Sequence, residues 1–162
     1  MTGRQAIEDL LEELYAARVR GDLDAVAKLF AANATFQVAG TDDASPMPTL
    51  VKGNAGIRSL MQGMIANFEV SDFTVLEMLI DGPSAAVRWQ ATFHYTKTGR
   101  MFTTELADFI TVANGKVVSF VELQNPPDAF DVFGRISPVT FCVQVAEEQF
   151  FLQTVLNRSN RP

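Results

Sequence analysis

The chain has 162 residues, of which 48% are hydrophobic and 20% are charged, and its formal net charge at pH 7 is −6. This length and composition predict one globular domain with a sizeable core, and they exclude intrinsic disorder as the default state. The acidic balance provides no net positive field for phosphate groups, so neither nucleic acid nor an anionic membrane surface is expected as a partner.

The cysteine content and the amino-terminal residues bear on the cellular compartment. One Cys and one His are too few for an internal disulfide or for the usual zinc site. Residues 1–13 contain four acidic side chains among leucines, unlike a signal peptide, and no apolar run approaches the ~20 residues of a membrane span. We therefore expect a cytoplasmic protein.

Helical periodicity dominates the first half of the sequence. Apolar residues at three- and four-residue spacing predict helices at residues 5–20, 23–32 and 54–68. Gly21 is expected to end the first helix and Asp22 to cap the second. A short strand is predicted at residues 35–39. The following segment, residues 40–52, contains Gly, Asp, Ser and two prolines, which predicts a mobile loop and a candidate pocket lid.

After Ser71 the apolar period becomes two, which predicts strands. They are expected at residues 73–80, 85–96, 101–112 and 116–125. The turn signals Asp81-Gly82, Thr98-Gly99 and Asn114-Gly115 make the connections short, so neighbouring strands should be antiparallel. Helices followed by a meander predict an α+β fold with the helices on one face of a curved sheet.

Residues 128–162 are predicted to form an extension to a domain of residues 1–127. Residues 146–157 fit a helix, whereas residues 139–145 alternate like a strand, and the helix is favoured. The side chains of this helix are too apolar to face water singly. It is therefore expected to pack on the domain or on a second copy of the chain.

Strand alternation places one carboxylate, Asp108, on an otherwise apolar sheet face. If Thr98-Gly99 is a two-residue turn, Asp108 lies opposite Trp89. A carboxylate in these surroundings must be paired, hydrogen-bonded or kept neutral by a raised pKa. A neutral acid can donate to an oxyanion and an ionised one can act as a general base, which makes Asp108 the first catalytic candidate. The alternative is a structural Asp that only satisfies a backbone amide or a helix terminus.

Glu122 is the second candidate, and its direction depends on the Asn114-Gly115 turn. With two loop residues the inward set is Val117, Ser119, Val121 and Leu123; with three and a bulge it is Val118, Phe120, Glu122 and Gln124. If both acids point inward, their coupled titration suits general acid and general base catalysis. The alternative is an exposed Glu122. Strand alternation does not decide between an inward and an exposed Glu122.

Several short motifs occur in a familiar order along the chain. They are Gly21-Asp22-Leu23-Asp24, the stretch LFAANATF at residues 29–36, Gly53 with Gly56-Ile57, Ala107-Asp108-Phe109, and Asn114-Gly115-Lys116-Val117-Val118. Through them the chain resembles the NTF2-like superfamily, in particular its SnoaL-like and ketosteroid-isomerase-like branch, over about residues 7–125. The resemblance implies a cone of curved antiparallel sheet around helices, an apolar pocket in its mouth and a homodimer.

The resemblance also bears on individual residues. It places the family's pocket acid at Asp108 and favours an inward Glu122. The isomerase's general base falls at Val38 and its oxyanion tyrosine at Leu14, one residue from Tyr15, so steroid isomerisation is not expected.

Other activities of the superfamily are matched only in part. The epoxide hydrolases' triad is incomplete, because Arg88 and Gln90 have outward parity. His94 could match the cyclases' His, but simple alternation turns it away from the pocket. Cys142 is expected to serve packing.

Two functions are expected from these residues. The first is a cofactor-free, metal-free enzyme that binds a small hydrophobic metabolite for cyclisation, isomerisation or dehydration, with Asp108 as acid or base and Glu122 and Tyr15 as helpers. Its pocket lining is expected to comprise Phe36, Val38, Phe68, Trp89, Phe93 and Phe120. The alternative is a non-catalytic dimeric module of the same fold that binds a ligand or a protein partner.

Overall fold

The computed structural model describes residues 3–39 and 49–124 of the chain. The helices of this part are α1 (Arg4–Arg20), α2 (Leu23–Leu29) and α3 (Gly53–Asn67). Its strands are β1 (Phe30–Ala39), β2 (Thr49–Lys52), β3 (Phe68–Asp81), β4 (Ser84–Tyr95), β5 (Arg100–Ala113) and β6 (Lys116–Gln124). The predicted lid at residues 40–48 and the predicted C-terminal helix lie outside the described residues. Of the described helices, none is both long and apolar enough to cross a lipid bilayer.

The described strands form one sheet in the order β2-β1-β6-β5-β4-β3. Strands β3 to β6 make the predicted antiparallel meander, whereas β1 pairs with β6 in parallel. Buried side chains from the helices and from one sheet face form a single apolar core. The predicted α+β class is confirmed.

The end of α1 is built as the sequence predicts. Gly21 adopts a left-handed conformation with φ of 69°, and its N–H donates to the carbonyl oxygen of Arg18. The side chain of Asp22 then accepts a hydrogen bond of 3.0 Å from the N–H of Ala25, which caps α2. These two caps fix the last turn of α1, where Arg18 lies.

Helix α2 is shorter than predicted, because it ends at Leu29 and not at residue 32. The side-chain amide of Asn54 donates to the carbonyl oxygen of Ala27 at 2.7 Å, so an acceptor of the last turn is satisfied from outside the helix. Phe30 pairs with Val117 of β6, and after an irregular stretch the pairing with β6 continues from Thr35. Pairing within the sheet thus outweighs the helix propensity of the alanines that follow.

Two further boundaries differ from the predicted ones. Residues 49–52 form the edge strand β2 and are not part of a loop, since they pair with β1. Strand β3 begins at Phe68 and not at residue 73, because Phe68 already pairs with Tyr95 at the far end of β4.

The predicted register of β4 and β5 is wrong by two residues. Their connection has four residues, 96–99, and not two, so Asp108 lies opposite Val87 while Trp89 lies opposite Leu106. Side chains alternate with a period of two, so an even shift leaves every side chain on its predicted face. Trp89 becomes the diagonal neighbour of Asp108 across the strand pair.

A β-bulge follows the turn into β6. The turn itself has two residues, Asn114 and Gly115, both with positive φ, as a type I′ turn requires. The register with β5 then shifts between Thr111 and Val112, which leaves Val118 as the extra residue of β6.

The bulge decides the direction of Glu122. Val117 points into the core before the bulge, and Phe120 and Glu122 point into it afterwards. The observed strand therefore combines the two-residue turn of the first alternative with the inward Glu122 of the second.

Candidate functional site

Two carboxylates lie side by side in the core. Asp108 of β5 and Glu122 of β6 are cross-strand partners, and neither has any exposed surface. Among the described residues they are the only polar ones that are fully buried. Two buried acids are tolerated only if each has hydrogen bonds, a counter-charge or a proton.

Asp108 is held through one of its two oxygens. The hydroxyl of Tyr15 donates to Oδ2 at 2.6 Å, and the indole Nε1–H of Trp89 donates to the same atom at 2.7 Å. The other oxygen, Oδ1, is equally buried and has no hydrogen-bond partner within the described part of the chain. No backbone amide of that part takes up Oδ1, so the structural reading of Asp108 as an acid held by backbone amides is not what is seen.

Glu122 forms an ion pair with Arg18 of α1. The guanidinium Nη2 donates to Oε2 at 2.8 Å, and the Arg18 side chain is only 12% exposed. The guanidinium carbon lies 5.5 Å from the ring centre of Trp89 and 5.9 Å from that of Phe120, within reach for cation–π attraction. The second terminal nitrogen, Nη1, is buried without a partner in the described residues.

Arg18 is the site residue that the sequence reasoning misses. A signal for it does exist in the spacing of α1. The helix buries Ile7, Leu11 and Leu14, and the next position of this pattern is occupied by Arg18. A charged residue on the apolar stripe of a helix needs a buried counter-charge, and here Glu122 is that counter-charge.

Burial and the neighbouring Glu122 raise the pKa of the Asp108 carboxyl to about 8, although Arg18 and the hydrogen bonds from Tyr15 and Trp89 act in the opposite direction. Burial and the adjacent Asp108 also raise the pKa of the Tyr15 hydroxyl far above its ordinary value. Burial alone would lower the pKa of Arg18, but the charges of Glu122 and Asp108 raise it. At neutral pH the cluster therefore contains a neutral Tyr15, a largely protonated Asp108 and a charged Arg18 beside Glu122.

A cavity of about 50 Å³ adjoins this cluster between α1, α3, β3 and β4. Its lining comprises Tyr15, Arg18, Val19, Met61, Met64, Ile65, Phe68, Val70, Phe73, Trp89 and Phe93. Asp108 lies immediately behind this wall, since both residues that hold its carboxyl line the cavity. The arrangement is an apolar space with a few polar groups at one side, and at about 50 Å³ it is smaller than the roughly 300–1,000 Å³ of the usual small-molecule site.

The structure brings only some of the predicted lining residues to the cavity. Phe68, Trp89 and Phe93 line it. Phe36, Val38 and Phe120 lie fully buried in the core, where the rings of Phe36 and Phe120 stack with centres 4.7 Å apart. Tyr15 joins the cluster and stacks on Phe73 with ring centres 5.3 Å apart.

The remaining candidates lie apart from the cluster. His94 faces outward, where its Nδ1 is hydrogen-bonded to Glu69 at 2.7 Å. Arg88 also lies on the outer face and pairs with Glu105. Cys142 lies outside the described residues. Within the described ranges, no three His, Cys, Asp or Glu side chains converge in a way that would hold a metal ion.

Comparison with known proteins agrees with this architecture. The family model of the SnoaL-like domain matches residues 11–120. Among curated proteins, none matches the chain significantly.

Solved structures show the same fold at low sequence identity. A proposed isomerase from Bacillus subtilis is 20% identical with a TM-score of 0.71, over 80% of this chain and 94% of its own. An NTF2-like protein from Burkholderia xenovorans LB400 is 24% identical with a TM-score of 0.64, over 77% and 93%. The epoxide hydrolase/cyclase-like enzyme SalBIII, which has a role in pyran ring formation in the polyether salinomycin, is 22% identical with a TM-score of 0.65, over 77% and 95%. At these identities the likeness shows the fold alone.

Proposed function

Since this chain belongs to the SnoaL-like domain family, we propose that it is a cofactor-independent acid–base enzyme acting on a small hydrophobic metabolite. The reaction class is cyclisation, isomerisation or dehydration, and Asp108 transfers the proton. One observation carries the proposal: a fully buried carboxyl with a raised pKa, behind an apolar cavity, has one oxygen held by two donors and the other without a partner.

The hydrogen bonds of Asp108 indicate which atom exchanges the proton. Oδ2 already accepts from Tyr15 and Trp89, so the proton of the neutral acid belongs on Oδ1. A pKa of about 8 means that the acid and its conjugate base are both populated near neutral pH, which suits general acid–base catalysis. Oδ1 would protonate a carbonyl, epoxide or alcohol oxygen and take a proton from an adjacent carbon.

The neighbouring residues position the acid and set the polarity around it. Tyr15 and Trp89 fix the carboxyl plane from two elements, α1 and β4, so little reorganisation is needed during the reaction. Glu122, as the carboxylate of a pair with Arg18, disfavours ionisation of Asp108 and keeps its proton available. Because Asp108 lies behind the cavity wall, the transfer passes directly between Tyr15 and Trp89 or through one water molecule.

Asp108→Asn is the direct test, with Asp81→Asn as a matched control at an exposed position of the same sheet. The full chain is incubated with cyclic enones, epoxides and β-hydroxy ketones, and products are followed by mass spectrometry. We expect turnover by the native chain and by Asp81→Asn, and at least a hundredfold loss in Asp108→Asn, on the scale of general acid–base contributions. Unchanged turnover in Asp108→Asn would refute the catalytic assignment.

The ionisation of Asp108 is tested without a substrate. Its carboxyl carbon, followed by NMR against pH, should titrate near 8. A midpoint at or below the ordinary value of about 3.9 would indicate an acid stabilised in its ionised form and would count against the proposal.

A non-catalytic dimeric module is the second candidate, and the outer face of the sheet favours it. Leu79, Ala86, Phe109 and Val121 form an apolar row across β3, β4, β5 and β6. Leu79 and Phe109 are more than half exposed, so a second copy of the chain is the proposed cover. Light scattering on Leu79→Gln/Phe109→Gln should show monomers while Leu50→Gln, at an exposed site on β2, remains dimeric. A native chain that is monomeric at micromolar concentration would exclude this candidate.

A further inference from the structure

The guanidinium of Arg18 is fixed in place yet has unused donor capacity. Nη2 binds Glu122, and the planar group lies over the rings of Trp89 and Phe120. A guanidinium has five N–H donors in a rigid fork, so holding one arm also fixes the direction of the other. That other arm, Nη1, is buried and has no hydrogen-bond partner in the described residues.

Such a donor is costly to leave unsatisfied. A buried donor without an acceptor costs about 1–3 kcal/mol, and more when it is charged. Arg18 lines the cavity, and the other lining side chains are apolar apart from Tyr15 and the indole N–H of Trp89, which both donate to Asp108. No side chain of the lining, the Tyr15 hydroxyl oxygen included, accepts a hydrogen bond from Nη1, so an occupant of the cavity can supply the acceptor.

The charges of the cluster restrict which acceptor fits. The positive charge of Arg18 is already balanced by Glu122, and Asp108 and Tyr15 are largely neutral at pH 7. A carboxylate ligand would add an uncompensated negative charge within apolar walls and close to Glu122. An uncharged oxygen acceptor adds no charge to the cavity.

We infer that Nη1 of Arg18 binds an uncharged oxygen of the ligand, such as a ketone, ester or ether oxygen, and that the site therefore selects neutral oxygenated hydrocarbons over carboxylates. The inference rests on the proposed ligand site and names its substrate class. Arg18 acts as a specificity-determining residue, whereas Asp108 carries the proton. The 50 Å³ of the cavity accommodates the polar end, and the half-buried Met64, Ile65 and Phe68 must move to admit a larger carbon skeleton.

Three probes with one carbon frame test this selectivity: 2-indanone, indane and indane-2-carboxylate. Trp89 is the only Trp of the chain, so its indole N–H gives one NMR signal, which lies at the site. We expect 2-indanone to bind the full chain about tenfold to a hundredfold more tightly than indane, as for a hydrogen bond to a charged group, and the carboxylate to bind at least tenfold more weakly than the ketone.

The matched variant replaces the ion pair by a neutral pair of similar size, Arg18→Met/Glu122→Gln, because Arg18→Met alone would leave Glu122 buried without its counter-charge. It should bind 2-indanone no better than it binds indane. Arg18→Lys, which retains a positive charge for Glu122 but lacks the fork, should fold like the native chain and lose most of the ketone preference.

The outcomes separate the inference from the proposed function. Equal binding of ketone and hydrocarbon by the native chain overturns the inference alone, and so does a preference that survives in the double variant. Failure of all three probes to shift the Trp89 signal at millimolar concentration overturns the inference together with the ligand site. A ketone preference in a native chain that turns over none of the candidate substrates supports the inference while the catalytic proposal fails.

Discussion

Asp108 makes the stability of this protein depend on pH in the opposite direction to most carboxylates. Its pKa in the folded chain is about 8, above the value of about 3.9 in an unfolded chain, so the folded state retains the proton longer. The stabilisation is therefore complete below pH 4 and is lost progressively as the pH rises from 4 to 8.

This dependence is expected in urea unfolding of the native chain at pH 5 and pH 8. At about 1.4 kcal/mol for each pKa unit, the loss over this interval is of the order of several kcal/mol. Asp108→Asn cannot ionise and should be nearly flat over the same range, while Asp81→Asn should follow the native chain. A native chain that is more stable at pH 8 than at pH 5 would contradict the raised pKa.

Tyr15→Phe removes a hydrogen bond that acts against the raised pKa of Asp108. The hydroxyl donates to the ionised form of Asp108 and lowers its pKa, so its removal should raise the pKa above about 8 while the ring still packs on Phe73. NMR titration of the Asp108 carboxyl measures the change. Trp89→Phe, which removes the other donor to Oδ2, is the matched variant and should act in the same direction. A pKa that falls in both variants would show that these donors do not bind the carboxylate form.

At the scale of the element, the bulge in β6 inserts one extra residue, Val118, before the inward Phe120 and Glu122. Deletion of Val118, the extra residue, should leave both side chains in the core because the register beyond it is unchanged. Deletion of Val121 cannot keep both inward, since it makes Phe120 and Glu122 adjacent, and adjacent residues of a strand point to opposite faces. We expect the second deletion to lower the free energy of unfolding by about 3–5 kcal/mol more than the first, as for a broken buried ion pair or a lost core ring.

Urea unfolding measures this difference, and the NMR signal of the Trp89 indole reports whether the cluster still forms. Similar losses of unfolding free energy from the two deletions would mean that Val118 is not an extra residue whose removal leaves the register of β6 intact.

The contrast between β5 and β6 explains how far sequence reasoning reaches. The face of Asp108 is predictable even though its partner is not, because the register error is even and the alternation survives it. The face of Glu122 is not predictable from the alternation, because one bulged residue inverts it and no turn signal indicates the bulge; only the family resemblance favoured the inward direction. Arg18 is missed for a related reason: apolar periodicity identifies buried positions, and a charge at such a position is recognised only when its partner on a distant strand is known.

At the scale of the whole molecule, the order of short motifs is sufficient to predict the fold. The hairpins follow from local turn chemistry, and the α+β arrangement follows from the change of apolar period after Ser71. The parallel pairing of β1 with β6 follows from neither, because it joins strands about 80 residues apart in sequence. The resemblance implied an antiparallel sheet, so it did not predict this parallel pairing either.

The separation along the chain of the groups that form the site has a consequence for folding. Tyr15 and Asp108 are 93 residues apart, and Arg18 and Glu122 are 104 residues apart. Contacts between residues so far apart in sequence form late in folding. During synthesis α1 therefore emerges long before β6, whose Glu122 pairs with Arg18. Detachment of α1 from a folded meander would dismantle the site without melting the sheet, and a ligand bound there would stabilise the docked helix. Hydrogen exchange should then show α1 amides protected by 2-indanone more strongly than those of β3 and β4.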